Sequence, residues 1–164
     1  MFQLIFVVLA LVAASIHLGF SSSSRSSTAA IARTYLLYLL FVYVGLMGLL
    51  TAYAHVFRPM QTSASIGWPP SPYEYEVGMA DLTVGTLGIL CLWLRGNFWL
   101  ATAIANAVWL LGDAAGHIRQ MELNNNHAPN NSGIFLFVEI AAPLVILSLA
   151  FYHHVAAADG KATR

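Results

Sequence analysis

Five stretches of this chain are each about as long as a helix must be to cross the ~30 Å hydrocarbon layer of a membrane, and each is dominated by apolar side chains. They cover residues 2–20, 31–57, 75–94, 98–118 and 133–153. In hydrocarbon every backbone N–H and C=O must find its partner within the protein, which leaves helical bundles and closed barrels. The five runs lack the polar–apolar alternation of barrel strands. The expectation is an all-α, polytopic bundle of five spans, a single integral membrane domain over residues 1–164. Charged residues make up 9% of the chain, against about a quarter in soluble domains.

The links between the runs carry turn chemistry. A Ser-rich link with Arg25 follows the first run, and Trp68-Pro69-Pro70-Ser71-Pro72 precedes the third. Arg95-Gly96-Asn97 makes a tight turn, and an Asn-rich loop, residues 124–132, leads into the fifth. No Lys or Arg precedes the first apolar run, which is also long for a signal peptide, so it reads as a retained helix. Formal net charge is zero and no basic run exists, which argues against nucleic acid as a partner. Cys91, the one cysteine, stands in Cys-Leu-Trp-Leu and reads as a small buried hydrophobe.

Arg25, Arg33, Arg95, Lys161 and Arg164 fall on one side of a five-span serpentine, and Arg58 and Arg119 on the other. Positive charge is retained inside. The expected topology therefore has the N-terminus outside and the C-terminus in the cytoplasm.

Within the apolar runs lie Glu76, Asp81, Asp113, His117 and Glu139. A charge at the middle of a membrane helix costs about 2.5–3.5 kcal/mol on insertion scales, so such residues mark function by default. The serpentine brings all five to within ~10 Å of the outer boundary, given ~1.5 Å of rise per residue. Tyr53 and His55 reach the same level. Asp113 and His117 are four residues apart and share a helix face, which Asn106 extends. Gly112 and Gly116 form a Gly-x-x-x-Gly pair for close helix approach, with Gly85 and Gly88 as the expected partner surface. Pro143 has no N–H, leaving the carbonyl of Glu139 to seek another partner.

The expected centre is Glu76, His117 and Glu139, with Asp81, Asp113 and Asn131 as neighbours. Glu74, His17, His153 and His154 read as solvated or interfacial. The loop before the fifth helix supplies turns, offers Ser132 as an N-cap, and could fold over the outer pocket as a lid.

Carboxylates with imidazole suit a divalent transition metal, with Glu76, His117 and Glu139 as ligands and His55 or His127 as additions. The Glu-x-x-His pairs of di-iron bundles are absent. The same groups suit acid–base chemistry on a lipid-soluble substrate. Trp68, Tyr73, Tyr75 and Trp109 would then wall the pocket, unless they form an aromatic interface belt. A transport path is disfavoured, because the third and fourth helices turn plainly apolar toward the cytoplasmic end. The leading expectation is binding of a small ligand or metal ion. Its competitor is a non-catalytic subunit, in a homo-oligomer or a membrane complex, whose polar cluster holds the bundle together.

The run Glu76-Val77-Gly78-Met79-Ala80-Asp81-Leu82, with Gly85, Gly88, Gly112 and Gly116-His117-Ile118, carries a resemblance. It continues through Asn126, Pro129-Asn130-Asn131-Ser132-Gly133, Glu139 and Pro143. These residues resemble an uncharacterised family of small bacterial multi-span membrane proteins. The resemblance implies a helical inner-membrane protein and supplies no activity. Such proteins tend to carry Asn at the position of Asp81 and Gly at that of Asn130, implying that the Asp81 charge is dispensable.

Overall fold

The structure, a computed structural model, describes residues 2–160. Its long elements are six helices: α1 (Phe2–Phe20), α2 (Thr28–Phe57), α3 (Pro59–Ile66), α4 (Tyr73–Leu90), α5 (Asn97–Asn124) and α6 (Ile134–Ala158). A single 3-10 turn, Ser23–Arg25, links α1 to α2, and no strand occurs among the described residues. Four helices, α1, α2, α5 and α6, are long and apolar enough to cross a membrane. The fifth expected span corresponds to α4, which carries Glu74, Glu76 and Asp81 within 18 residues. Those three acids separate it from the other four. Lys161 and Arg164, used in the orientation argument, lie outside the described residues.

Local signals explain the boundaries. Ser27 caps α2, its hydroxyl accepting from the Ala30 N–H at 3.1 Å. α3, unforeseen in the sequence, has Pro59 in its first turn and ends at Gly67, which adopts a left-handed φ of 74°. α5 runs to Asn124, beyond the expected end at residue 118. At the start of α6 the cap position belongs to Gly133, not Ser132. The Ser132 hydroxyl instead donates back to the Ala128 carbonyl at 3.2 Å.

The middle of α2 is the core of the bundle. Over Leu39–Met47 it opens into π-helical turns, and Leu40, Tyr43 and Val44 there are almost wholly buried. Ala10 and Ala14 of α1 and Ile146 and Ala150 of α6 are buried as well. At the far end Trp99 closes the bundle, donating to the Cys91 carbonyl at 2.9 Å. Cys91 is buried and unpaired, as its apolar setting predicts. Outward-facing positions are also apolar, with Val108 and Phe137 each 71% exposed.

The tightest crossing joins α2 to α4. On α4 the buried positions Glu74, Gly78, Asp81, Gly85 and Gly88 recur every three or four residues and so form one stripe. A Cβ on Gly48 would lie 2.8 Å from the Gly85 Cα, and one on Gly85 would lie 2.8 Å from the Leu49 nitrogen. Gly88 meets the Gly45 backbone in the same way. Backbone thus packs on backbone, as in small-residue seams of membrane helices. This corrects the expected pairing of Gly85 and Gly88 with α5. Gly112 would place a Cβ in open space, and Gly116 would meet only the Trp68 ring at 3.7 Å.

The seam generates a prediction. Gly85→Ala should lower thermal stability in detergent by ~1–3 kcal/mol, the range for overpacking a filled core. Gly112→Ala should be neutral or gain up to about 1 kcal/mol from helix propensity. Equal melting temperatures for the two variants would contradict the crossing.

Candidate functional site

The end of the bundle where α1 and α4 begin and α2 and α5 finish encloses a cavity of about 530 Å³. The Gly seam delivers its first polar group. Gly78 has no side chain, and a Cβ there would strike Val56 and crowd the His55 Cβ at 3.1 Å. His55 of α2 therefore lies over Gly78, with Glu74 one turn before it on α4 and Asp81 one turn after. Its Nδ1 is 2.7 Å from Glu74 Oε2, and its Nε2 faces Asp81 Oδ2 at 4.0 Å. The Ser63 hydroxyl of α3 donates to Glu74 Oε1 at 2.5 Å. Trp109 of α5 donates to Asp81 Oδ1 at 2.8 Å.

A second chain of contacts runs along the opposite wall. Asn131, wholly buried in the loop before α6, is held by three partners. Its Nδ2 donates to the carbonyls of Asn126 at 2.9 Å and His117 at 3.3 Å, and its Oδ1 accepts from Trp68 Nε1 at 2.8 Å. Indole N–H can only donate and backbone carbonyls can only accept, so the orientation of the Asn131 amide is fixed by its neighbours. His117 Nδ1 lies 2.7 Å from the same Oδ1 and must therefore carry the proton. In the neutral ring Nε2 is left with a lone pair.

That nitrogen points at Glu139 Oε2 across 3.7 Å, too long for a hydrogen bond. Glu139 is 2% exposed, and its Oε2 has no hydrogen-bond partner among the described residues. Its other oxygen receives only a long bond, 3.4 Å, from Gln3 Nε2 of α1. Trp68 and Phe135 flank the imidazole, each with its ring centroid 5.4 Å away, and fix its plane. Asp113 lines the same cavity and makes no hydrogen bond among the described residues.

Both histidines therefore follow one scheme. Each has Nδ1 anchored by a firm hydrogen bond and turns Nε2 toward a carboxylate oxygen about 4 Å off. A base oriented by a third group recurs wherever proton transfer is arranged in proteins. The gap at His117 and Glu139 suits an atom that donates to both.

Of the residues expected at the centre, His117 and Glu139 come together, and Asp81 and Asp113 line the same cavity. Asn131 stands behind His117 as its anchor. Glu76 does not join them: it is exposed and lines no part of the cavity. The reason is helical phase. At 3.6 residues per turn, Glu76 is rotated by about 200° from Glu74, so only one of the two can face α2. The structure buries Glu74, which the sequence had left at the surface. The signal was its spacing to Gly78, Asp81 and Gly85.

The metal set is corrected with it, since Glu76 cannot complete a triad with His117 and Glu139. Among the described residues no group of three or more His, Cys, Asp or Glu side chains is placed to hold a metal ion. His127 is exposed, its Nε2 3.2 Å from Asn125 Oδ1. The aromatic quartet divides: Trp68 and Trp109 line the cavity, while Tyr73 and Tyr75 are exposed. His17 bonds Tyr38 and Ser24 at the opposite end. His153 stacks on Trp99 there, at 5.2 Å.

Two outcomes follow from this geometry. In 15N-resolved spectra of the neutral ring, His117 should appear as the Nδ1–H tautomer. Asn131→Ala should remove that preference, and a wild-type Nε2–H tautomer would contradict the orientation of the amide. Trp109→Phe should cost ~1–3 kcal/mol of stability by leaving Asp81 Oδ1 unpaired. A neutral effect in a thermal melt would mean that water already serves that oxygen.

No curated protein and no solved structure matches the chain. A family model does, over residues 1–159, and so takes in α1 and α2 as well as the residues that carried the resemblance. The chain belongs to that family, a family of unknown function (DUF6790).

Proposed function

We propose that this chain is a bacterial inner-membrane protein that binds a small, largely apolar molecule in the cavity at one end of its bundle. His117 and Glu139 meet the polar group of that molecule. The observation that carries the reading is the unmet pair at the cavity wall: His117 Nε2 and Glu139 Oε2, 3.7 Å apart, the latter without a hydrogen-bond partner among the described residues. Buried polar atoms in folded proteins are nearly always satisfied, and an exception invites a ligand or water. With His117 anchored through Nδ1, its Nε2 can take a proton from a bound donor, and acid–base chemistry is within the site's reach.

In this reading α4 is a fifth span. Its acidic stripe is turned inward against α2, so that Glu74 and Asp81 are shielded from lipid. The apolar outer surfaces of the other helices support the membrane setting. Arg25, Arg33 and Arg95 would lie on the cytoplasmic side and the cavity toward the outside.

A second reading, a non-catalytic subunit held in register by its polar groups, draws support from the closed bonds Trp109–Asp81, Trp68–Asn131 and His55–Glu74. Native mass spectrometry of protein extracted in mild detergent separates the two. The binding reading expects a small-molecule adduct on the wild type and its loss in Gly112→Leu. Gly112 lines the cavity and a Cβ there meets nothing within 4 Å, so the variant adds bulk at the wall. A wild type without adduct, whose melting is unchanged by Gly112→Leu but greatly lowered by His117→Ala, would favour the structural role.

A further inference from the structure

We propose that the ligand is a lipophilic organic amine, bound as its ammonium ion with its hydrocarbon body against the aromatic wall. The inference rests on the binding reading above and names its ligand class.

Charge is the first argument. Among the described residues the cavity is lined by four carboxyl groups, Glu74, Asp81, Asp113 and Glu139, against one guanidinium, Arg58, and the imidazoles of His55 and His117. Arg58 is exposed and held over the Tyr53 ring, its Cζ 5.9 Å from the centroid. Within the cavity, Glu74 is engaged by His55 and Ser63, and Asp81 by Trp109. Among the described residues Glu139 Oε2 is buried without a donor, and the Asp113 side chain, half-buried, makes no hydrogen bond. What the described residues do not supply there is a further cationic donor.

The directions of the unmet hydrogen bonds agree. Glu139 Oε2 accepts as a carboxylate, His117 Nε2 accepts in its neutral tautomer, and Gln3 Oε1 is a further buried acceptor without a partner among the described residues. An ammonium group has three donors and no acceptor. A carboxylate ligand would instead set like charge against like. Asn106, 2% exposed and facing the same cavity, has its Nδ2 unpaired. It leaves room for one hydroxyl or carbonyl on the ligand's body.

The walls choose an organic cation over an inorganic one. Trp68, Trp109 and Phe135 line the cavity, and aromatic faces attract alkylammonium ions that have shed part of their water. A bare metal ion would need three or more converging ligands, which the described residues do not supply.

The test uses three soluble probes with one ring: cyclohexylamine, cyclohexanol and cyclohexanecarboxylate. Each is titrated into detergent-solubilised full-length protein at neutral pH and followed by saturable shifts in melting temperature. The expected result is that cyclohexylamine binds at least about tenfold more tightly than the alcohol, and the carboxylate not at all. Asp113→Asn should weaken the amine by about tenfold or more, as loss of a desolvated charge partner does, and leave the alcohol unchanged. The Asp113 side chain makes no hydrogen bond among the described residues, so this variant should melt no lower than the wild type when unliganded. Equal binding of amine and alcohol, or preference for the carboxylate, would overturn the amine proposal while leaving a binding cavity. If no probe binds and Gly112→Leu changes nothing, the cavity reading falls and the amine proposal falls with it.

Discussion

The distance between α2 and α4 governs this molecule. Backbone-to-backbone contact at Gly45, Gly48, Gly85 and Gly88 leaves no space for a side chain between the two helices. The same stripe, continued toward the cavity, puts Gly78 under His55 and so sets an imidazole between two carboxylates. A wider crossing would pull His55 away from Glu74 and Asp81 and leave both acids facing an apolar bundle. Since an unpaired charge buried among apolar side chains is expensive, the glycines are thus a condition for the acids.

The polar groups that result are satisfied unevenly, and the unevenness has a direction. At the Nδ1 of each imidazole the bonds are short and complete: Glu74, itself held by Ser63, at His55, and Asn131, itself held by Trp68, at His117. At Nε2 the distances open to 4.0 and 3.7 Å. A cluster whose only role was to hold helices together would gain by closing those gaps, since a partly satisfied network costs more than a complete one. Firm anchors behind and open atoms in front are what preorganised binding sites share.

Much of this was legible in the sequence. Apolar runs of membrane length located the long helices, and the serpentine brought Asp81, Asp113, His117 and Glu139 to one depth. The misplacement of Glu76 came from reading depth without azimuth: two residues apart on a helix means similar height but opposite faces. The interval of three and four residues linking Glu74 to the glycines contained the answer. Asn131 could be marked as a neighbour, but its part in fixing the His117 tautomer depends on Trp68, sixty-three residues away. No local pattern encodes such a contact. α3 was missed for its length, although Pro59 and Gly67 mark its ends, and with it went Ser63 as a partner of Glu74.

The central claim is that the His117–Glu139 cavity is open to molecules from outside and favours positive charge. Gly116→Cys places a thiol on its wall, where a Cβ meets the Trp68 ring at an ordinary contact distance of 3.7 Å, while native Cys91 stays buried. The direct measurement is the modification rate of that thiol by trimethylammonium-bearing and sulfonate-bearing methanethiosulfonates, each normalised to its rate with a free thiol. A cationic reagent faster by about tenfold or more, the lower end of what focused charge does to association rates, is the predicted result. No modification, or equal normalised rates for the two reagents, would contradict the account.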